Sequence, residues 1–303
     1  MTITLNKPSL TDRFSLENHL NNNWTSTENA INDLQENTNN VKFYNDGVRL
    51  GLSGNSLNKQ NSFPAYVNEF ILYVSNSGTG DGTTSDSPCT LEQALNKIPR
   101  NLCGTKIYIV LLSDILTSNP LVIKASNGCV MITSYEPLGD GDEIIIGGDP
   151  PPKYTITNSF VEVITIYGDV NVTFEGINFV STANDGYSSI IISMRNCFQI
   201  LTIWDCSFKI NNVDTLTIAT GIDCTQGSGL IMIDSSEFTQ VKTAVNTTNT
   251  NVDTLFGHYV TTISATETGI SNGMGTVGFL SSSTYEDMDA PTKIKTQLGL
   301  TKY

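Results

Sequence analysis

The chain has 303 residues, enough for one large domain or two smaller ones, and only 15% of them are charged. Sixteen Lys and Arg against 30 Asp and Glu leave a formal net charge of −14, a field that repels phosphate backbones and anionic lipid, so no nucleic acid and no membrane is expected among its partners. No run approaches the ~20 apolar residues that cross a bilayer, and the abundance of Asn, Thr, Ser, Gly and Ile suits strands solvated by short neutral side chains, not a helix bundle.

In chain order, the first expected element is a helix. Leu16, Leu20, Trp24, Thr27, Ile31 and Leu34 recur at nearly heptad spacing, behind a Ser15 cap and ahead of an Asn run at 37–40. A stripe this narrow, with Asn on the outer faces, is marginal alone. Residues 1–40 are therefore read as an attachment or trimerisation segment whose docking side chains are Leu16, Leu20, Trp24, Ile31 and Leu34; packing back onto the chain's own domain is the alternative. The opening residues carry no apolar core of secretory type, so synthesis in the cytoplasm is expected. Residues 41–69 alternate short apolar patches with Gly, Asn and Ser and read as a neck of turns and small strands.

From Phe70 the texture changes. A strand ending in Tyr73-Val74 leads into the loop Gly78-Thr-Gly80-Asp-Gly82, and then into an amphipathic helix over 90–99. Pro88 and Thr90 stand at its start, and Leu91, Ala94, Leu95 and Ile98 share one face. Such a helix suits the exposed apolar end of a stack of strands. Short β-rich runs separated by turns follow, with no helix-length segment between them. Three of these runs share one register: Val172-Thr-Phe174-Glu-Gly-Ile-Asn-Phe179, Leu201-Thr-Ile203-Trp-Asp-Cys-Ser-Phe208 and Ile231-Met-Ile233-Asp-Ser-Ser-Glu-Phe238. A repeat of this length predicts a unit of three short strands with the three terminal Phe residues stacked inside. Hairpin signals are mostly missing, which argues against an antiparallel sandwich. The expected fold is mostly β, a parallel β-helix over 70–290, followed by a tail at 291–303.

The block Tyr73 to Pro99 resembles the opening of pectate-lyase-like right-handed parallel β-helices of bacteriophage tail fibres and appendages. The matching positions are Tyr73-Val74, Gly80-Asp81-Gly82, Pro88, Thr90, Ala94-Leu95 and Ile98-Pro99. Phe14 to Trp24 is similar to N-terminal helices that attach phage fibre proteins to the particle. The two matches together cover under a fifth of the chain. The resemblance implies a homotrimer on a virion, made in the host cytoplasm, joined to tail, baseplate or head proteins through its N-terminal segment and contacting the host surface. It also brings a second reading, a tailspike depolymerase that cleaves polysaccharide.

Hydrolysis would need two carboxylates about 5 to 10 Å apart, and neighbouring strands lie ~4.8 Å apart. In the repeat register Glu175, Trp204 and Asp234 are equivalent, so Glu175, Asp205 and Asp234 are the candidate catalytic groups. Trp204, Asp205, Asp234 and Glu237 are the candidate glycan-binding set, with Trp204 as a platform for a sugar ring. Glycan binding makes fewer demands than cleavage, and exposed carboxylates on a sheet are most often solvating groups. Lyase chemistry lacks bases, since Arg195, Lys209 and Lys242 are the few cations of the repeat region. No cofactor or metal is expected: Asp140, Asp142 and Glu143 read as a solvated turn, Gly78 to Gly82 lacks the Lys-Ser/Thr of a phosphate loop, and the six cysteines lie singly and read as buried thiols.

Overall fold

The computed structural model describes residues 69–135, 153–184, 186–197 and 200–296. The chain divides between Val67 and Asn68, and the described residues belong to the second unit. The expected N-terminal helix, its docking side chains Leu16, Leu20, Trp24, Ile31 and Leu34, and the neck lie outside the described residues, as do Asp140, Asp142 and Glu143.

The described residues are mostly β, and their strand pairings are all parallel. A first ladder joins β1 (Glu69–Val74), β2 (Lys106–Leu111), β5 (Gly128–Thr133), β8 (Val170–Glu175), β11 (Ile200–Trp204), the end of β13 (Ile218–Asp234), β15 (Asn251–Phe256) and β17 (Val277–Phe279). A second joins β3 (Ile115–Thr117), β6 (Tyr154–Asn158), β9 (Ile177–Ser181), β12 (Ser207–Ile210) and the starts of β14 (Glu237–Thr247) and β16 (Thr262–Asn272). The third runs through β4 (Leu121–Lys124), β7 (Glu162–Tyr167), β10 (Ser188–Cys197), the start of β13, the ends of β14 and β16, and β18 (Thr292–Thr296). β18 falls in the segment read as a tail.

Alternation places one side of each first-ladder strand inside. In β8, Val170, Val172 and Phe174 are buried between Asn171 and Thr173. Parallel pairing then sets like on like. Phe179 faces Phe208, and Phe208 faces Phe238, all three fully buried, with ring centroids 5.2 and 4.5 Å apart and planes within 24° and 5°. The register read from the three repeat copies is the observed one.

The step from one strand to the next is shortest at 23 residues, as from Lys106 to Cys129 or Ser228 to Asn251. It lengthens wherever residues are inserted, most of all between β4 and β7, where Leu121 pairs with Ile164 and the intervening chain includes residues 136–152.

Between the first two ladders the chain turns on a single left-handed residue: Gly176 at φ 64°, Asp205 at φ 54° and Ser235 at φ 50°. The corner amides keep donating along the stack, Gly176 to Trp204 O at 3.0 Å and Asp205 to Asp234 O at 3.1 Å. One position on, buried hydroxyls take over. Cys206 N donates to Ser236 Oγ, Ser236 N to Thr261 Oγ1 and Thr261 N to Thr284 Oγ1, at 3.2, 3.3 and 3.1 Å. Backbone donors that a turn would orphan are satisfied this way.

The first end is closed by α1 (Leu91–Lys97), where Thr90 and Gln93 form a capping box and Leu91, Ala94 and Leu95 are buried. The glycine loop straps beside it: Gly80 N donates to Pro88 O and Tyr73 N to Gly82 O, both at 2.8 Å. A Cβ on Gly78 would stand 2.4 Å from Cys89 O, so close packing explains the glycines. Near the far end Phe256 stacks on Phe279 at 5.0 Å, and Tyr285 of α2 (Ser282–Glu286) meets Phe279 edge-on. Of the cysteines, Cys89, Cys206 and Cys224 are buried as expected. Cys103 is exposed, because it sits in a turn at φ 50°.

Among the described residues Thr254 carries the buried side-chain oxygen that is left without a partner. It occupies the inward position of Ile231 on the neighbouring strand, and its buried Oγ1 has no hydrogen-bond partner. An orphaned buried hydroxyl costs about 1–3 kcal/mol. Thr254→Val should therefore raise unfolding stability by about 1 kcal/mol or more in urea titrations, whereas Phe208→Ala, which opens the aromatic stack, should lower it by about 3–5 kcal/mol.

Candidate functional site

The repeat register brings Glu175, Trp204 and Asp234 side by side as the last residues of three paired strands, with their side chains on the outer face of the first ladder. Their surroundings differ. Trp204 is 46% exposed, whereas Glu175 is only 9% exposed and accepts from Thr133 Oγ1 at 3.1 Å. Burial pushes the Glu175 carboxyl up from its ordinary value, the nearby Asp205 charge adds to this, and the Thr133 bond and the Lys106 charge oppose it.

Asp205 occupies the left-handed corner itself, a conformation that Asp tolerates better than most side chains. Both of its oxygens are engaged: Tyr135 Oη donates to Oδ2, and Lys153 Nζ pairs with Oδ1. Tyr135 and Lys153 flank residues 136–152, so Asp205 fastens both ends of that insertion to a strand some 50 to 70 positions away in sequence. The Tyr135 ring lies where a Cβ on Gly176 would be, 2.3 Å from that position, and the glycine is needed there for room as well as for φ. Burial first, then the bond to Asp205, raises the Tyr135 hydroxyl far above its ordinary value and keeps it a donor.

Asp234 accepts from Tyr259 N at 2.8 Å through Oδ1, and its other oxygen lies against Gly257. Tyr259 is 66% exposed. Trp204, Asp234 and Tyr259 thus come from three consecutive repeats at one corner, a carboxylate between two exposed aromatics. Glu237 does not join the row. It opens β14 on the second ladder, beside Ser207, and points to solvent.

Sequence reasoning missed Tyr259, Tyr135 and Lys153. Tyr259 precedes a repeat in which Ile263 replaces the marker Phe, so no register pointed to it. Tyr135 and Lys153 are recognisable only through Asp205. A further polar cluster lies on the third ladder. Arg195 pairs with Glu162, Thr165 Oγ1 donates to Glu162 at 2.7 Å, and Asn246 Nδ2 donates to Asp223 Oδ1 at 2.6 Å. Asp223 is 5% exposed, and burial raises its carboxyl while Asn246 and Arg195 pull it back down. Among the described residues no group of three or more His, Cys, Asp or Glu could hold a metal ion, and no helix is long and apolar enough to cross a membrane.

Comparison with known protein families, with curated proteins and with solved structures finds no match to this chain.

Glu175 gives a pH test. Its folded-state affinity for a proton is raised, so its contribution to stability is fully present below the ordinary value near 4.5 and is lost as pH rises from there through the raised folded value. Glu175→Gln keeps an acceptor for Thr133 without the charge. The variant should melt higher than the parent at pH 7 and equal to it near pH 4; a constant gap across that range would assign the effect to packing instead.

Proposed function

We propose that the chain is a subunit of a rod-like, homotrimeric bacteriophage fibre or appendage built on a right-handed parallel β-helix of pectin-lyase-like type. In this reading the N-terminal helix, through Leu16, Leu20, Trp24, Ile31 and Leu34, joins the subunit to other tail, baseplate or head proteins. The rod projects from the virion and contributes to host-surface adhesion. The observation that carries the reading is the three parallel ladders kept in register from Glu69 to Thr296, with a capped helix over the first end. Such a stack is stiff and is lengthened by repeating one unit. The resemblance of Tyr73 to Pro99 to fibre openings agrees with it.

The adhesive surface is placed at Trp204, Asp234 and Tyr259. Aromatic faces flanking a hydrogen-bond-accepting carboxylate suit the apolar face and hydroxyl edge of a sugar ring. Cleavage is the lesser reading. Asp205, one of its candidate carboxylates, is committed to Tyr135 and Lys153, and Glu175 is buried, while binding needs neither of them free.

Light scattering on the full chain should return about three times 32.9 kDa; a monomer at micromolar concentration would count against the fibre reading. With host capsule or wall polysaccharide as probe, Trp204→Ala combined with Tyr259→Ala should weaken binding about tenfold, the loss of roughly 1.4 kcal/mol of aromatic contact. Release of reducing ends by the parent, abolished by Glu175→Gln, would favour the depolymerase.

A further inference from the structure

We infer that the pocket between the start of α1 and the edge of β3, together with the exposed aromatics Phe160 and Tyr187 beyond it, binds a neutral, hydroxyl-rich oligosaccharide. The inference rests on the surface-adhesion reading above and adds a second contact to it, on a different corner of the stack from Trp204, Asp234 and Tyr259.

β3 opens the second ladder among the described residues, so one of its edges pairs with β6 and the other faces the end of the stack. A pocket of about 430 Å³ lies along that second edge, a size within the range of small-molecule sites. Its walls come from residues 75–76 after β1, 90–92 at the start of α1, and 115–119 of β3 and the turn after it. Two bonds fix the lining. Leu116 N donates to Asn76 Oδ1 at 2.8 Å, and Thr117 Oγ1 donates to Glu92 Oε1. Each leaves the other end of a side chain for a ligand, the Asn76 amide nitrogen as a donor and the second Glu92 oxygen as an acceptor. Ser118 and Asn119, both exposed, add a hydroxyl and an amide, and exposed Leu116 adds an apolar wall.

This lining selects a class of ligand. No Lys, Arg or His borders the pocket, and its one carboxylate belongs to a chain of net charge −14, so phosphates and acidic sugars are repelled. One carboxylate is also a poor cage for a divalent cation. A neutral sugar ring has hydroxyls that donate to Glu92 and accept from Asn76, and an apolar face for Leu116. A second observation lies outside the pocket. Ser118 and Asn119 stand in the turn from β3 into β4, and β4, β7 and β10 pair in succession. The turns that lead into β7 and β10 carry Phe160, 42% exposed, and Tyr187, 75% exposed. Ser159 N donates to Thr117 O at 3.3 Å and Ile190 N to Val161 O at 2.8 Å, which keeps the three turns in step along the stack. A polymer with one unit in the pocket therefore runs out past two exposed rings, which suits a chain of sugars better than a single compact ligand.

The test is saturation-transfer NMR on the full chain, with maltohexaose, cellohexaose and a tetramer of N-acetylglucosamine as neutral probes and an oligogalacturonate as the acidic comparison. Expected is binding of at least one neutral probe in preference to the acidic one. Glu92→Ala and Tyr187→Ala should each raise the dissociation constant about tenfold, the size of one charge-assisted hydrogen bond or one aromatic contact. Thermal melts show which variants have folded, and Tyr187→Ala, at an exposed turn, keeps the test open if Glu92→Ala has not. Trp204→Ala combined with Tyr259→Ala is the control and should bind these probes as the parent does. Failure of every neutral probe to bind, preference for the acidic probe, or unchanged binding by a folded Glu92→Ala or Tyr187→Ala overturns the inference. Weakening in the control overturns this pocket while leaving the adhesive corner proposed above in place. A parent that binds neither these probes nor host polysaccharide overturns both.

Discussion

Every feature of this molecule depends on one constraint: parallel strands in register, about 4.8 Å apart, put equivalent residues of successive repeats in contact. Apolar residues gain from that arrangement: Phe179, Phe208 and Phe238 stack inside, with Ile156 and Ile263 at the same position before and after them. Charges lose. Two like charges at this distance repel by about 1 kcal/mol in water and by several times that near a protein surface. A sequence that must repeat itself against itself is driven to Asn, Thr and Ser on its outer faces, and the low charged fraction follows. Several carboxylates that persist in the stack have their own partners: Glu162 has Arg195, Asp205 has Lys153, and Asp253 accepts from Thr276.

The corners are where this constraint relaxes. A left-handed residue lifts the chain out of ladder geometry for one position, and there the side chain need not match its neighbour. Gly176, Asp205 and Ser235 are equivalent in register and unlike in chemistry. The stack uses this freedom twice. Asp205 fastens an insertion by both ends, and Asp234, one step before the corner, bonds the amide of Tyr259 from the next repeat. The candidate site lies beside a corner: Trp204 and Asp234 form the last ladder pair before it, and the amide of Tyr259 from the next repeat bonds Asp234.

The same reasoning explains what the sequence made legible. The register of the three copies could be read because Phe recurs at one inward position, and the cap helix because Pro88, Thr90 and the apolar face of Leu91, Ala94, Leu95 and Ile98 obey local rules. Glu175, Trp204 and Asp234 followed from the register alone. The partners of Asp205 did not, since a contact across 50 to 70 positions leaves no periodic trace. Neither did Tyr259, whose repeat exchanges Phe for Ile and shortens its step to 25 residues. Glu237 was grouped with the site because it is near Asp234 in sequence, yet three residues across a corner carry the chain to another ladder. Cys103 was misjudged for the same reason: burial in a stack depends on position relative to the turn and not on residue type.

Two acids break the rule that buried positions are neutral. Glu175 and Asp223 both sit where burial opposes their charge, and each lowers stability at neutral pH. Their settings differ. Asp223 is tied to Asn246 and lies beside Arg195, which answers its charge within the frame. Glu175 has one weak donor and, next in its row, an exposed Trp204. A stack with a continuous apolar core tolerates one such group without unfolding, so the locally unfavourable acid is held in place by residues that never touch it. That is the sense in which the rigid frame and the site belong together: the in-register strands that exclude most charges from the surface also fix the few that remain to within a strand spacing of the aromatics beside them.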